Sequence, residues 1–156
     1  METEPQMPRL HETIETSLPP EAAFAFIADF ANCPEWDPNT PLAERIGSGP
    51  AGPGSRYRLG VLQRGKVVPM EYTITAWEPS SRVVLDGRGC NVRATDEIRF
   101  TPAGAGTRVD YTADIRLTGW MRLVEPLAGG AFEKIAKDAA AGMRTALEAR
   151  ASAVAR

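Results

Sequence analysis

The sequence predicts an α+β fold: a curved antiparallel sheet of about seven strands, two short helices after the first strand, and a long C-terminal helix packed across the sheet. Three observations predict it. Apolar and polar residues alternate with period two from Leu42 to Leu117, broken only by turn chemistry. No helical pattern interrupts that stretch, so the strands join as a meander of hairpins with one wet face. Helical periodicity is confined to the segments after Ser17 and after Thr118, and the sheet and the last helix each need the other to bury an apolar face.

The elements follow in order. Residues 1–8 carry two prolines without periodicity and read as a flexible tail. Arg9 to Ser17 alternates, with Leu10, Glu12, Ile14 and Thr16 on one face. Pro19-Pro20-Glu21 opens a helix, because proline suits the first turn and glutamate suits the positive end of the dipole. Ala23, Phe26, Ile27 and Phe30 make its apolar stripe. Asn32 to Trp36 reads as a second short helix capped by Asn32 and ended by the Asp37-Pro38-Asn39 turn. Six strands follow: Leu42–Ile46, then one around Tyr57, Leu59 and Val61, and after the Arg64-Gly65 turn one with Val68, Met70, Tyr72, Ile74 and Ala76 inward. A strand with Val83 and Leu85 ends near Gly87-Arg88-Gly89. The last two carry Ala94, Asp96, Ile98 and Phe100, then Val109, Tyr111, Ala113, Ile115 and Leu117. From Gly119 to about Arg150 the chain reads as helical, kinked at Pro126 and loosened at Gly129-Gly130, with residues 151–156 as a second tail.

Composition bounds the function. The 156 residues carry 18 Lys+Arg against 20 Asp+Glu, a net charge of −2, which lacks the basic footprint of a nucleic-acid binder. No apolar run approaches the ~18 residues of a membrane span, and Met1-Glu-Thr-Glu has no basic leader character. One histidine, His11, and two cysteines, Cys33 and Cys90, are too few for a zinc site or a disulfide framework. The expectation is a cytoplasmic protein with reduced thiols, a monomer or homodimer with no metal, cofactor, nucleic-acid partner or membrane span. The 15 Arg against 3 Lys read as the codon bias of a GC-rich genome.

Several phrases carry a family resemblance: Ser17-Leu-Pro-Pro-Glu21, Ile27-Ala-Asp-Phe-Ala-Asn-Cys-Pro-Glu-Trp-Asp37, Gly52-Pro-Gly-Ser-Arg-Tyr57, Trp77-Glu-Pro79, Thr95-Asp-Glu-Ile-Arg-Phe-Thr-Pro102 and Gly106-Thr-Arg-Val109. In their order and spacing they resemble the START-like (SRPBCC) superfamily, the helix-grip fold shared with birch-pollen allergens and polyketide cyclases. The resemblance spans roughly residues 9–150, as one domain. It implies a cavity between sheet and last helix. It leaves activity open, because the superfamily holds lipid carriers, receptors, cyclases, oxygenase subunits and many uncharacterised bacterial proteins.

Asp96 is the catalytic candidate. Strand parity turns it inward, where a carboxylate is costly unless paired or protonated, and a raised pKa would suit an acid or base. The alternative is a structural bond to a backbone amide or to Tyr57, Tyr72 or Tyr111, or a bulge that turns it outward. The lining candidates are Tyr57, Leu59, Met70, Tyr72, Leu85, Asp96, Ile98, Tyr111 and Ala113 from strands, with Phe132, Ile135, Ala139 and Met143 from the helix. Such a list, mostly apolar with a few polar anchors, has the composition of a ligand pocket. Trp36 reads as an anchor of the short helices. His11 faces water, and Cys33 and Cys90 lack a base partner. Gly47-Ser-Gly-Pro-Ala-Gly52 matches G-x-G-x-x-G, but prolines punctuate it and a strand follows, so it reads as a turn; the resemblance places such a loop near a cavity mouth.

The leading function is binding of a small hydrophobic molecule, with the resemblance implying a lipid, polyketide or isoprenoid-like ligand. A second reading is a cofactor-independent cyclase or dehydratase using the same cavity, which the sequence disfavours for want of an inward histidine and of a second inward carboxylate forming a tuned pair. A third is a regulatory or antitoxin-like partner protein acting through an exposed patch on the last helix.

Overall fold

The structure, a computed structural model, describes residues 9–127 and 129–154; the tail expected at 1–8 lies outside the described residues. Seven strands, β1 (Arg9–Thr16), β2 (Leu42–Ile46), β3 (Arg56–Gln63), β4 (Lys66–Glu78), β5 (Arg82–Gly89), β6 (Val92–Ala103) and β7 (Gly106–Leu117), form one antiparallel sheet. Their spatial order is β1-β7-β6-β5-β4-β3-β2. Because β1 and β2 lie at opposite edges, the chain between them must cross the width of the sheet. It does so as α1 (Pro20–Ile27), a 3₁₀ turn (Phe30–Asn32) and α2 (Cys33–Trp36). The last helix, α3 (Gly129–Val154), packs on the same apolar face, against β1 and α2. This is the expected helix-grip arrangement.

The structure corrects four local expectations. Asn32 does not cap α2 with its side chain; its amide donates to the Phe26 carbonyl at 3.0 Å, and Asp29 instead accepts from the Ala31 amide at 3.1 Å. A bulge at Thr75 shifts the register of β4, so Ile74 pairs with Leu85 but Trp77 pairs with Val83. The bulge brings Trp77, not Ala76, in line with the buried Val83, and its ring meets Phe24 edge-on at 4.9 Å. The C-terminal segment is not one kinked helix: Gly119–Leu127 is 3₁₀ and contains Pro126, and α3 starts afresh at Gly129. The helix also continues through residues 151–154, four of those expected to be tail.

Close packing fixes α3 on one half of its length. A Cβ at Gly142 would stand 2.0 Å from the Trp36 carbonyl oxygen, so the helix approaches α2 more closely than any side chain permits. Met143 and Leu147 are fully buried beneath the same half. Arg150 lies 3.7 Å over the Phe26 ring and pairs with Glu35 at 3.5 Å, holding the end of α3 to the short helices. Gly142→Ala should therefore cost about 2–3 kcal/mol, the overpacking penalty of a filled contact. Gly130→Ala, which meets nothing within 4 Å, should be neutral or stabilising. Urea unfolding of the two variants checks the contrast.

Candidate ligand-binding site

Beneath the other half of α3 lies a cavity of about 130 Å³. Phe132, Ile135, Ala136, Ala139 and Ala140 line it from the helix. They continue the stripe of Met143 and Leu147 at i, i+3, i+4 spacing, but three are alanines, so the helix here covers the sheet without filling the space beneath it. The opposite wall is built from alternate residues of the long strands: Met70 and Tyr72 of β4, Val92, Ala94 and Asp96 of β6, and Tyr111, Ala113 and Ile115 of β7. Leu59, Val61, Leu62 and Gln63 of β3 close one side and Leu10 and Glu12 of β1 the other. Phe30, Cys33, Trp36, Asp37, Asn39 and Thr40, from the short helices and the turn after them, close the end.

The polar centre is a pair. The Tyr111 hydroxyl donates to Asp96, which is 5 % exposed. Burial pushes the Asp96 carboxyl up to about 7, against the downward pull of the Tyr111 bond and with help from the Asp37 and Asp114 charges. Asp37 lines the same cavity, and burial raises its pKa too, although the Asn39 amide at 2.9 Å and the Thr40 hydroxyl at 2.8 Å donate to it. The further inward carboxylates that the sequence reading lacked are therefore present, Asp37 supplied by a turn and Glu12 by β1. Burial and the Asp96 charge push the phenols of Tyr72 and Tyr111 well above their usual range, so both stay protonated donors. Cys33 is likewise held protonated by burial, then by Asp37 and Asp96, which removes it as a nucleophile.

Of the residues named from sequence, Leu59, Met70, Tyr72, Asp96, Tyr111, Ala113, Phe132, Ile135 and Ala139 meet around the cavity. Tyr57, Leu85, Ile98 and Met143 do not line it. Their parity is right, but they are fully buried in the core, Tyr57 packed 6.3 Å from the Phe30 ring and Met143 under the seated half of α3. Sequence reasoning missed the end wall. Residues 30–40 have no periodicity to show which side chains face inward, and Trp36 turns out to be both anchor and wall, with ring contacts to Phe30 at 6.2 Å and Tyr111 at 6.1 Å.

Other candidates fall outside the cavity. His11 is half-exposed and bonds Thr112 at 2.8 Å on the outer face. Cys90 is exposed. In the loop after β2, Arg45 donates to the Gly49 and Ser48 carbonyls, so the loop turns acceptors inward rather than the amides a phosphate needs, and none of its residues lines the cavity. The outer sheet face carries ion pairs such as Arg58–Glu44 at 2.7 Å, Arg82–Glu97 at 2.9 Å and Arg9–Asp114 at 3.2 Å. Of the exposed large apolar residues near the chain end, Trp120, Leu123 and Leu127 sit on the 3₁₀ segment before α3, and Val154 on the last turn of the helix itself. Among the described residues no helix is long and apolar enough to cross a membrane.

The family model described as polyketide cyclase/dehydrase and lipid transport matches residues 7–148. Similar solved structures include an aromatase/cyclase from a Streptomyces species, with a TM-score of 0.77 at 16% identity, covering 97% of each chain. A Thermus thermophilus protein has a TM-score of 0.75 at 19% identity, covering 90% of this chain and 97% of that one. A START superfamily protein from Mycobacterium smegmatis has a TM-score of 0.71 at 17% identity, covering 94% of this chain and 98% of that one. No curated protein matches the sequence. At such identities the likeness establishes the fold.

The Asp96 environment has a measurable consequence. The folded carboxyl keeps its proton up to about pH 7, whereas the unfolded one releases it near 3.8. Stability should therefore fall as pH rises from about 4 to about 7 and level off above, by at most about 4 kcal/mol at 1.36 kcal/mol per unit. Asp96→Asn should flatten this slope and be more stable than the parent by about 2–4 kcal/mol at pH 8 but not at pH 4. Urea unfolding at both pH values checks it; parallel slopes would mean the carboxyl is not desolvated.

Proposed function

The chain belongs to the polyketide cyclase/dehydrase and lipid transport family, and from that footing we propose that it binds a small hydrophobic molecule between the sheet and the first half of α3. The observation that carries the reading is the cavity itself: a mostly apolar space with one buried acid–phenol pair at its polar end. Its volume selects among ligands. At about 130 Å³ it is close to the cavities that hold a single aromatic ring and well below the ~300 Å³ at which drug-sized sites begin. A ring-sized group fits the closed form, and a whole lipid, polyketide or isoprenoid requires α3 to move outward. Leaving such a space unfilled costs about 3 kcal/mol, at about 24 cal/mol per Å³, so occupancy by an apolar group is favourable. Leu59, Met70, Ala113, Phe132, Ile135 and Ala139 would supply the apolar contacts; Tyr72, Asp96 and Tyr111 would meet the polar end.

A second reading, a cofactor-independent cyclase or dehydratase, is favoured by one observation. Asp96 and Asp37 share the cavity, burial raises both, and Asp96 titrates near neutrality, where a carboxyl can serve as acid or base. In that case Asp96→Asn would abolish turnover while leaving ligand affinity within a fewfold.

Binding is checked with toluene. At ten times its Kd it should stabilise the protein by about 1.4 kcal/mol and raise the thermal midpoint by about 3–6 °C. Ala139→Phe, whose ring takes up the cavity, should stay folded and show no shift. A parent protein indifferent to toluene would contradict the reading.

A further inference from the structure

The indole of Trp36 forms part of the cavity wall and the residue is only 3 % exposed, yet its Nε1–H has no hydrogen-bond partner in the protein. A buried unpaired donor costs about 1–3 kcal/mol and calls for an acceptor. Of the neighbouring donors on the wall, the Tyr111 hydroxyl is committed to Asp96 and the Thr40 hydroxyl to Asp37, while the Asn39 side-chain amide on the same end wall is, like the indole, without a partner. Charge adds a second, independent constraint. Glu12, Asp37 and Asp96 line the cavity, while no Lys, Arg or His does so among the described residues. A carboxylate ligand would enter a space that already holds three acidic side chains and no cation to pair with it.

We propose that Trp36 is a specificity-determining donor of the cavity, receiving a neutral oxygen acceptor of the carbonyl type, and that the site rejects carboxylates such as free fatty acids. This deepens the binding reading above and rests on it. The acceptor seats against the end wall of Phe30 and Trp36, and the apolar body lies under Ala136 and Ala139. Ligands that end in an ester, ketone or amide satisfy both constraints; a hydrocarbon satisfies only the second and a fatty acid only the first.

Three ring-sized probes of nearly equal shape separate the terms: acetophenone, ethylbenzene and benzoate, titrated into ¹⁵N-labelled protein at pH 8. The chain has three tryptophans, Trp36, Trp77 and Trp120, so three indole cross-peaks are expected. Trp77→Phe and Trp120→Phe assign two of them and leave Trp36 by elimination. Acetophenone should bind about tenfold tighter than ethylbenzene, as one hydrogen bond of about 1.4 kcal/mol predicts, and should move the Trp36 indole proton downfield. Benzoate should bind at least about a hundredfold more weakly than acetophenone. Trp36→Phe, which keeps the ring face but lacks the N–H, should bind the ketone and the hydrocarbon equally.

Equal affinity of acetophenone and ethylbenzene for the parent protein, with the Trp36 resonance unmoved, would overturn the proposal and show that water satisfies the indole, leaving the cavity reading intact. Benzoate binding as tightly as the ketone would overturn the exclusion of anions. Failure of all three probes would overturn the cavity reading along with the proposal. The cross-peak of the parent protein decides the matter even where Trp36→Phe folds poorly.

Discussion

The structure depends on how one helix meets one sheet. At Gly142 the backbone of α3 comes so near the Trp36 carbonyl that no Cβ fits between them, and Met143 and Leu147 seal the core beneath. A rigid helix fixed at that end cannot also sink at the other. Its first half is held above the sheet by Phe132 and Ile135 at the rim, while the alanines between them leave room below. Tight packing at one end and open space at the other are two consequences of one apolar stripe whose residue sizes change along its length.

This division explains which parts of the protein are legible in its sequence. Period-two alternation specifies seven strands, and strand parity correctly turns Asp96, Tyr72 and Tyr111 inward, because a residue's face in a strand follows from counting alone. Depth does not follow from counting. Tyr57, Leu85 and Ile98 share the parity of the lining residues but lie in the filled core, and only the position of α3 distinguishes the two groups. The bulge at Thr75 carries no glycine or proline to mark it, so the switch from Ala76 to Trp77 is invisible in the sequence. Asp37 reads as a turn residue, which it is; that the same turn closes the end of the cavity is a fact of the tertiary fold.

The electrostatics of the site follow from that enclosure. A carboxyl in an apolar cavity keeps its proton unless something charged relieves it, and here the neighbours of Asp96 are a phenol and further acids. Asp96 therefore adds a protonated carboxyl beside the Tyr111 phenol below about pH 7 and a negative charge above it. That combination suits a neutral apolar guest with one polar end. Under the proposed function, carriage and catalysis would differ by the reactivity of the guest rather than by the architecture of the site.

Everything proposed for the site requires that the space between the first half of α3 and the sheet be apolar and fillable. The most direct test is a crystal structure determined under xenon pressure, since xenon enters apolar cavities of this size without specific bonds. A xenon site bounded by Ala113, Ile115, Phe132, Ile135 and Ala139 should appear, with the fold otherwise unchanged. A crystal with no xenon there, in which α3 has settled onto Ala94 and Ala113 and closed the gap, would contradict it.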